Sequence, residues 1–259
     1  MDLCPRTVLI TGASSGLGLE YVKQMINLKN PPEIIVAASR NPDRATELQQ
    51  LATTLASNST IKIVKLDVEC DEDIELAFQA TKEAVGELGL NLLINNAAIY
   101  DRSNSGSLIL QTREKMQKHF NVNVTSPVLI VQKFLPLLKQ AATTSKGFSC
   151  SKAGVVMMSS RVGSQQIVFD DEPGASLSLH YKCSKSALNM ATIMISRELK
   201  DDGILVFAIH PGWAKTRMGT DRAPLQPSES VQSCLNVIGT AGEALHGKLV
   251  TLHGEILPY

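Results

Sequence analysis

A doubly wound α/β fold, with about seven parallel strands and helices on both faces, is the fold class this sequence predicts. Two observations lead to it. Short β-branched runs alternate with longer helical stretches from one end of the chain to the other. The first run then breaks into a glycine-rich turn, Thr11-Gly12-Ala13-Ser14-Ser15-Gly16-Leu17-Gly18, from which a helix begins. No repeat or linker divides the 259 residues, so one domain over 1–259 is expected.

Strands are expected over 7–11, 33–38, 61–66, 91–95, 154–158, 204–209 and 249–252. The first six are largely apolar without strict alternation, as in strands covered on both faces. Helices are expected over 16–28, 44–56, 71–86, 111–142, 181–200 and 228–240. Segments 143–153 and 163–179 break the rhythm and read as loops. In such a sheet the ligand crevice lies at the carboxyl ends of the strands. Helices 111–142 and 181–200 carry apolar residues around much of their circumference. Each is therefore buried on more than one side, by a second copy in a homodimer or by a covering loop.

Composition excludes several classes. The 25 basic and 25 acidic residues cancel, which gives no electrostatic case for nucleic acid or an anionic membrane. Five scattered cysteines lack metal-ligand spacing, so no metal is expected and a reduced, cytoplasmic protein is. The opening residues lead directly into a strand, without the apolar core of a secretory signal. No apolar run approaches the ~20 residues of a membrane span. The sequons at Asn58 and Asn123 read as chance matches.

The glycine turn is the first candidate site. Its glycines let the backbone bend tightly and bring N–H groups against a pyrophosphate, and the helix N-terminus adds partial positive charge. Ser14, Ser15 and Leu17 belong to the same cradle. The spacing is G-x-x-x-G-x-G rather than G-x-G-x-x-G. A tight strand-to-helix turn without a ligand has the same local form. Where the second strand ends, an acidic residue would bind the adenosine ribose and select NAD. Here Ser39 and Arg40 stand instead. A guanidinium matches a 2′-phosphate through paired charge-assisted hydrogen bonds, so the expected cofactor is NADP(H). Asp67, closing the third strand, is placed to meet the adenine amino group or to serve as an ordinary strand-end Asp.

The second candidate site is Tyr181 and Lys185, one helical turn apart on one face. An ammonium near a phenol favours the phenolate and tunes it for acid–base work. Tyr-x-x-x-Lys also arises by chance on helix surfaces. Further upstream, Pro127 removes the N–H that would bond the carbonyl of Asn123, so the helix there is expected to kink.

Together these residues resemble the short-chain dehydrogenases/reductases over nearly the whole chain. The carrying motifs are Thr11–Gly18, Asn95-Asn96-Ala97-Ala98, Asn123, Met158-Ser159-Ser160, Tyr181 with Lys185, and Pro211-Gly212-Trp213-Ala214-Lys215-Thr216. Within the family the chain is similar to the sniffer-type carbonyl reductases, on Leu135-Pro136-Leu137-Leu138-Lys139, His210-Pro211-Gly212-Trp213 and Lys200-Asp201-Asp202-Gly203.

The resemblance implies a single-domain Rossmann sheet and reduction of a small-molecule ketone, aldehyde or quinone. Tyr181 would be the proton donor, Lys185 its activator and ribose ligand, and Ser160 the hydroxyl that positions the carbonyl. The carbonyl of Asn123 would hold a relay water, and Pro127 would free it for that role or would only bend the long helix to fit the sheet. Val68, Asn95, Ala97, Pro211, Gly212 and Thr216 would join the cofactor site, and 213–230 would be a substrate lid. Ala98 departs from the family's usual glycine. Asp170, Asp171 and Glu172 would rim the pocket against anionic substrates, or form a solvated turn. An NADP-linked alcohol or steroid dehydrogenase and a non-catalytic NADP(H)-binding scaffold stay open as alternatives. Keeping Ser160, Tyr181 and Lys185 together argues against the scaffold.

Overall fold

The computed structural model describes residues 3–53, 59–101, 107–143, 146–171 and 178–259. Among them seven strands form one parallel sheet: β1 (Thr7–Thr11), β2 (Ile34–Ser39), β3 (Thr60–Lys65), β4 (Leu92–Asn95), β5 (Gly154–Met158), β6 (Leu205–His210) and β7 (Leu249–Thr251). Their order is β3-β2-β1-β4-β5-β6-β7, every pairing parallel. The connecting helices are α1 (Gly16–Met25), α2 (Thr46–Thr53), α3 (Asp71–Val85), α4 (Arg113–Phe120), α5 (Ser126–Ala142), α6 (Gln165–Asp170), α7 (Leu179–Glu198) and α8 (Pro227–Thr240). The strand order reverses between β1 and β4, and it is at the carboxyl ends of such a reversal that doubly wound sheets bind their ligands.

β1 shows how the sequence builds the layers. Neighbouring residues of a strand face opposite ways. Val8 and Ile10 join a cluster with Tyr21, Val22 and Met25 of α1, whereas Leu9 joins Ile130 and Phe134 of α5 and Leu188 of α7. Each such buried side chain stabilises the fold by about 1.5–3 kcal/mol.

Four expectations are corrected. β3 is not covered on both faces: it is the edge strand, with Lys62 and Lys65 exposed and Val64 buried. Exposed lysines there discourage pairing with another strand. The helix expected over 111–142 is divided into α4, a π turn at Asn121–Thr125, and α5. The segment expected as a loop over 163–179 contains α6, capped by Ser164, whose Oγ accepts from the Ile167 N–H at 3.2 Å. Helix α7 starts two residues earlier than expected, which brings His180 into it. Part of the expected 44–56 helix, Asn58, residues 144–145 of the expected loop, and Glu172 lie outside the described residues. No described helix is long and apolar enough to cross a membrane.

Candidate active site

Gly12 follows β1 at φ +67° and Gly16 sits at +57°, left-handed conformations that suit glycine. Gly18 is needed for a different reason. A Cβ built there would stand 2.2 Å from the Gly12 carbonyl oxygen, so α1 could not pack against the turn. Ser15 is the N-cap of α1 but its side chain makes no capping bond. The helix thus opens towards the crevice with its leading N–H groups uncapped by a side chain, the arrangement that binds phosphate. Ser15 is exposed and Ser14 and Leu17 are half-buried along this edge.

Two residues outside the expected set hold the turn in place. Thr11 Oγ1 accepts from the N–H groups of both Asn96 and Ala97 at 2.9 Å. The Asn96 side chain donates to the carbonyls of Thr11 at 2.8 Å and Gly12 at 3.3 Å. The glycine turn and the chain leaving β4 are thereby one unit. The doublet Asn95-Asn96 was the available signal. Its first member turns inward: buried Asn95 donates to the Pro127 carbonyl and the Met157 sulfur, both at 3.4 Å.

At the end of β2, Arg40 is exposed and forms no ion pair with a described residue, whereas Ser39 is buried and its hydroxyl has no described partner. Asp67 shapes the turn into α3. Its Oδ1 accepts from the Glu69 N–H at 3.2 Å, and its own N–H donates to Asp73 at 2.9 Å, which holds the Asp73 carboxyl below its ordinary range. Val68 lies half-buried between them.

Helix α7 carries two stripes. Tyr181, Lys185 and Asn189 recur every four residues and face the end of β5. Lys185 is 2% exposed, donates to the Met158 carbonyl at 2.7 Å, and stands 5.7 Å from the centre of the Tyr181 ring. Burial pushes its pKa down to about 7. The two serines after Met158 divide. Ser159 points inward and donates to Asn189 Oδ1 at 2.6 Å; Ser160 caps the turn Arg161–Gly163, accepting from Val162 at 3.4 Å. Gly163 lets that turn sit on α7, since a Cβ there would meet the Lys185 backbone at 2.7 Å. Ser160 is thus held at the rim, on the α7 side of the strand ends.

On the second stripe, Ser184 faces the π turn and His180 faces Asp101 and His119. Pro127 cannot donate to the Asn123 carbonyl, and the helix widens into a π turn there. The Asn123 side chain is spent locally: it exchanges two bonds with the main chain of Ile99, at 2.9 and 3.0 Å, and donates to Ser184 Oγ at 3.0 Å. Next to Ile99, the ring of Tyr100 lies 4.6 Å from that of Tyr181, a neighbour the sequence reading did not single out.

The crevice closes on the β6 side. Pro211 is tied to α8 by Ser230 Oγ, which donates to its carbonyl at 2.6 Å. Gly212, at φ +76°, leaves no room for a side chain between Leu225 and Leu252. Thr216 comes within 3.4 Å of where a Gly16 Cβ would stand, so the two ends of the expected cofactor site face each other. Over 213–225 the segment expected as a lid is folded on itself, with Trp213 Nε1 donating to the Gly219 carbonyl at 2.7 Å and Ala214 bridged to Leu225.

The family model described as short chain dehydrogenase matches residues 6–226. A short-chain dehydrogenase/reductase of Phoma sp is 33% identical over 230 residues, covering 85% of this chain and 81% of the relative. Among solved structures, an NADPH-bound carbonyl reductase from chicken fatty liver superposes with a TM-score of 0.91 at 37% identity, covering 99% of this chain and all (100%) of the other. The carbonyl reductase Sniffer of D. melanogaster also gives 0.91, at 32% identity, over 98% of this chain and 100% of its own.

Proposed function

The chain belongs to the short-chain dehydrogenase family, and from that premise we propose that it reduces a ketone, aldehyde or quinone with NADPH, with Tyr181 as the proton donor. The observation that carries the reading is Lys185, a desolvated amine anchored on the Met158 carbonyl and one turn from Tyr181.

The residues present fit NADP(H). Gly12, Gly16 and Gly18 leave the turn free of side chains, and the open start of α1, with Ser14, Ser15 and Leu17, suits a pyrophosphate. Arg40 with the unpartnered Ser39 hydroxyl suits a 2′-phosphate. Asp67, Val68 and Ala97 border the adenosine side. Pro211, Gly212 and Thr216 border the nicotinamide side, as does Lys185. When bound, NADPH supplies the hydride. Ser160 then holds the carbonyl oxygen by donating its hydroxyl proton, and Tyr181 delivers the proton that makes the alcohol. Lys185 holds Tyr181 in a low-dielectric setting where each proton position matters more. The main-chain carbonyl of Asn123, which Pro127 denies its α-helical donor, supports a relay that returns the proton.

The chicken and fly carbonyl reductases, as named, support this direction of reaction. Five free cysteines support a reducing compartment such as the cytoplasm. Exposed Met190 and Met194 on α7 support a homodimer through α5 and α7, which sedimentation tests directly. For the reaction, absorbance at the nicotinamide band is followed with a panel of carbonyls and both NADPH and NADH. Tyr181→Phe is expected to abolish turnover nearly completely while NADPH still binds. A Phe variant as fast as the parent removes Tyr181 from its role.

A further inference from the structure

Between β4 and α4, the chain at Asp101 is gripped by two buried histidines from different helices. The Asp101 N–H donates to His119 Nε2 at 3.1 Å, and the Asp101 carbonyl faces His180 Nε2 at 3.0 Å. The rings are 1% and 0% exposed and their centres are 4.2 Å apart.

The partners fix the roles of the ring atoms. His119 Nδ1 faces the Lys115 carbonyl at 2.8 Å, so it carries the proton and leaves Nε2 bare to accept from Asp101. His180 Nε2 faces a carbonyl and must donate. Its Nδ1 lies 3.1 Å from the Gln111 side-chain amide, whose nitrogen donates to it once the two ends of that amide, alike in outline, are exchanged. Both main-chain groups of Asp101 are thus held by rings, as both groups of Ile99 are held by Asn123. Tyr100 lies between these two pinned residues, with its ring against Tyr181.

We propose that His119 and His180 are positioning residues: by gripping Asp101 they hold Tyr100 against Tyr181 as an aromatic wall of the substrate site. The inference rests on Tyr181 as the acid. A flat ring beside the proton donor favours carbonyls attached to aromatic or quinoid rings, which stack on it, over small aliphatic ones. The clamp is also sensitive to acid. The groups facing His119 are Lys115 on its own helix, His180 on α7, and Asp101, which pairs with Lys115 at 3.4 Å. Burial, the largest influence, holds the His119 pKa below its ordinary 6.5, which keeps the ring in the neutral form the clamp requires. Protonation would turn Nε2 from acceptor to donor, facing the Asp101 N–H.

The test compares an aryl ketone with a small aliphatic aldehyde in the parent, His119→Leu, His119→Gln, His180→Leu, His180→Gln and Tyr100→Leu. Glutamine keeps a polar atom near the Nε2 position; leucine keeps only bulk. Both leucine histidine variants are expected to raise KM for the aryl ketone about fivefold or more while kcat falls less than twofold, with glutamine recovering most of the loss. In the parent that KM rises only in acid, below the ordinary histidine range, and His119→Gln flattens the rise. Exchange of the Asp101 amide, followed by NMR, quickens in His119→Leu. Should the buried variants fail to fold, Tyr100→Leu carries the same comparison, its aryl KM rising and its aldehyde KM staying put. Equal KM in glutamine and leucine variants, or a quickened Asp101 amide with unmoved KM, overturns the inference while leaving Tyr181→Phe to report on the reaction. A parent that reduces neither substrate defeats the functional reading and this inference with it.

Discussion

Lys185 donates to the main-chain carbonyl of Met158 at 2.7 Å from a site only 2% exposed. Burial lowers its pKa from the ordinary 10.5 to about 7, so the unfolded chain binds this proton more tightly than the folded one. Between those values the unfolded state carries the extra proton, and stability rises with pH. Below about 7 both states are charged and the full penalty of burying the ammonium applies. Lys185→Met removes a penalty of several kcal/mol and strands the Met158 carbonyl, at ~1–3 kcal/mol. The expected result is loss of turnover with a Tm higher by several degrees at about pH 6 and little gain at about pH 10. Thermal melts of parent and variant at both values decide it; a lower Tm for Lys185→Met at the acid value contradicts the penalty.

Gly18 tests the glycine turn. An added methyl would meet the Gly12 carbonyl at 2.2 Å and the Asn96 amide at 2.6 Å, and neither backbone nor brace can yield cheaply. Gly18→Ala should cost ~1–3 kcal/mol of stability, the usual range for overpacking, and weaken NADPH more than tenfold. Calorimetric titration with NADPH and a urea melt give both numbers. Unchanged binding would mean that the turn does not hold the pyrophosphate.

Arg40 separates the two nicotinamide cofactors. It is exposed beside the buried Ser39 and is not committed to an ion pair among the described residues. Arg40→Ala should weaken NADPH by ~1.5–3 kcal/mol, the range of a hydrogen bond to a charged group, and leave NADH almost untouched. Parallel titrations measure this, and equal weakening of both assigns Arg40 a structural role.

Much of this molecule was legible because its signals are local. β1 with its glycine turn, the apolar strands, and the four-residue spacing of Tyr181 and Lys185 each follow from contiguous residues. β3 was misjudged although Ile61-Lys62-Ile63 already alternates; which strand lies at the edge is a property of topology. Helix α6 is obscured in the sequence by a segment that contains Pro173 and Gly174, and its cap, Ser164, shows only in the structure. The Asp101 clamp had no local trace, since His119 lies 18 residues from Asp101 and His180 lies 79 away. The bracing role of Asn96 leaves no local trace beyond the Asn95-Asn96 doublet, because its bonds reach 84 and 85 residues back to Gly12 and Thr11.

Pro127 marks where a sequence signal meets a local change of helix geometry. Its missing N–H coincides with the π turn at Asn121–Thr125, from which the Asn123 side chain reaches Ile99. Pro127→Ala restores a donor for the Asn123 carbonyl, and the α-helical register should extend through the turn. Asn123 would then rotate away from Ile99, and Tyr100 would lose one of its two pinned neighbours. The variant gains a helical bond worth ~0.5–1.5 kcal/mol but gives up the three Asn123 side-chain bonds to Ile99 and Ser184, so it should be less stable than the parent, while kcat falls several-fold. A crystal structure of the variant with steady-state kinetics checks both halves. A regular helix with undiminished kcat would show that the widened turn serves packing alone.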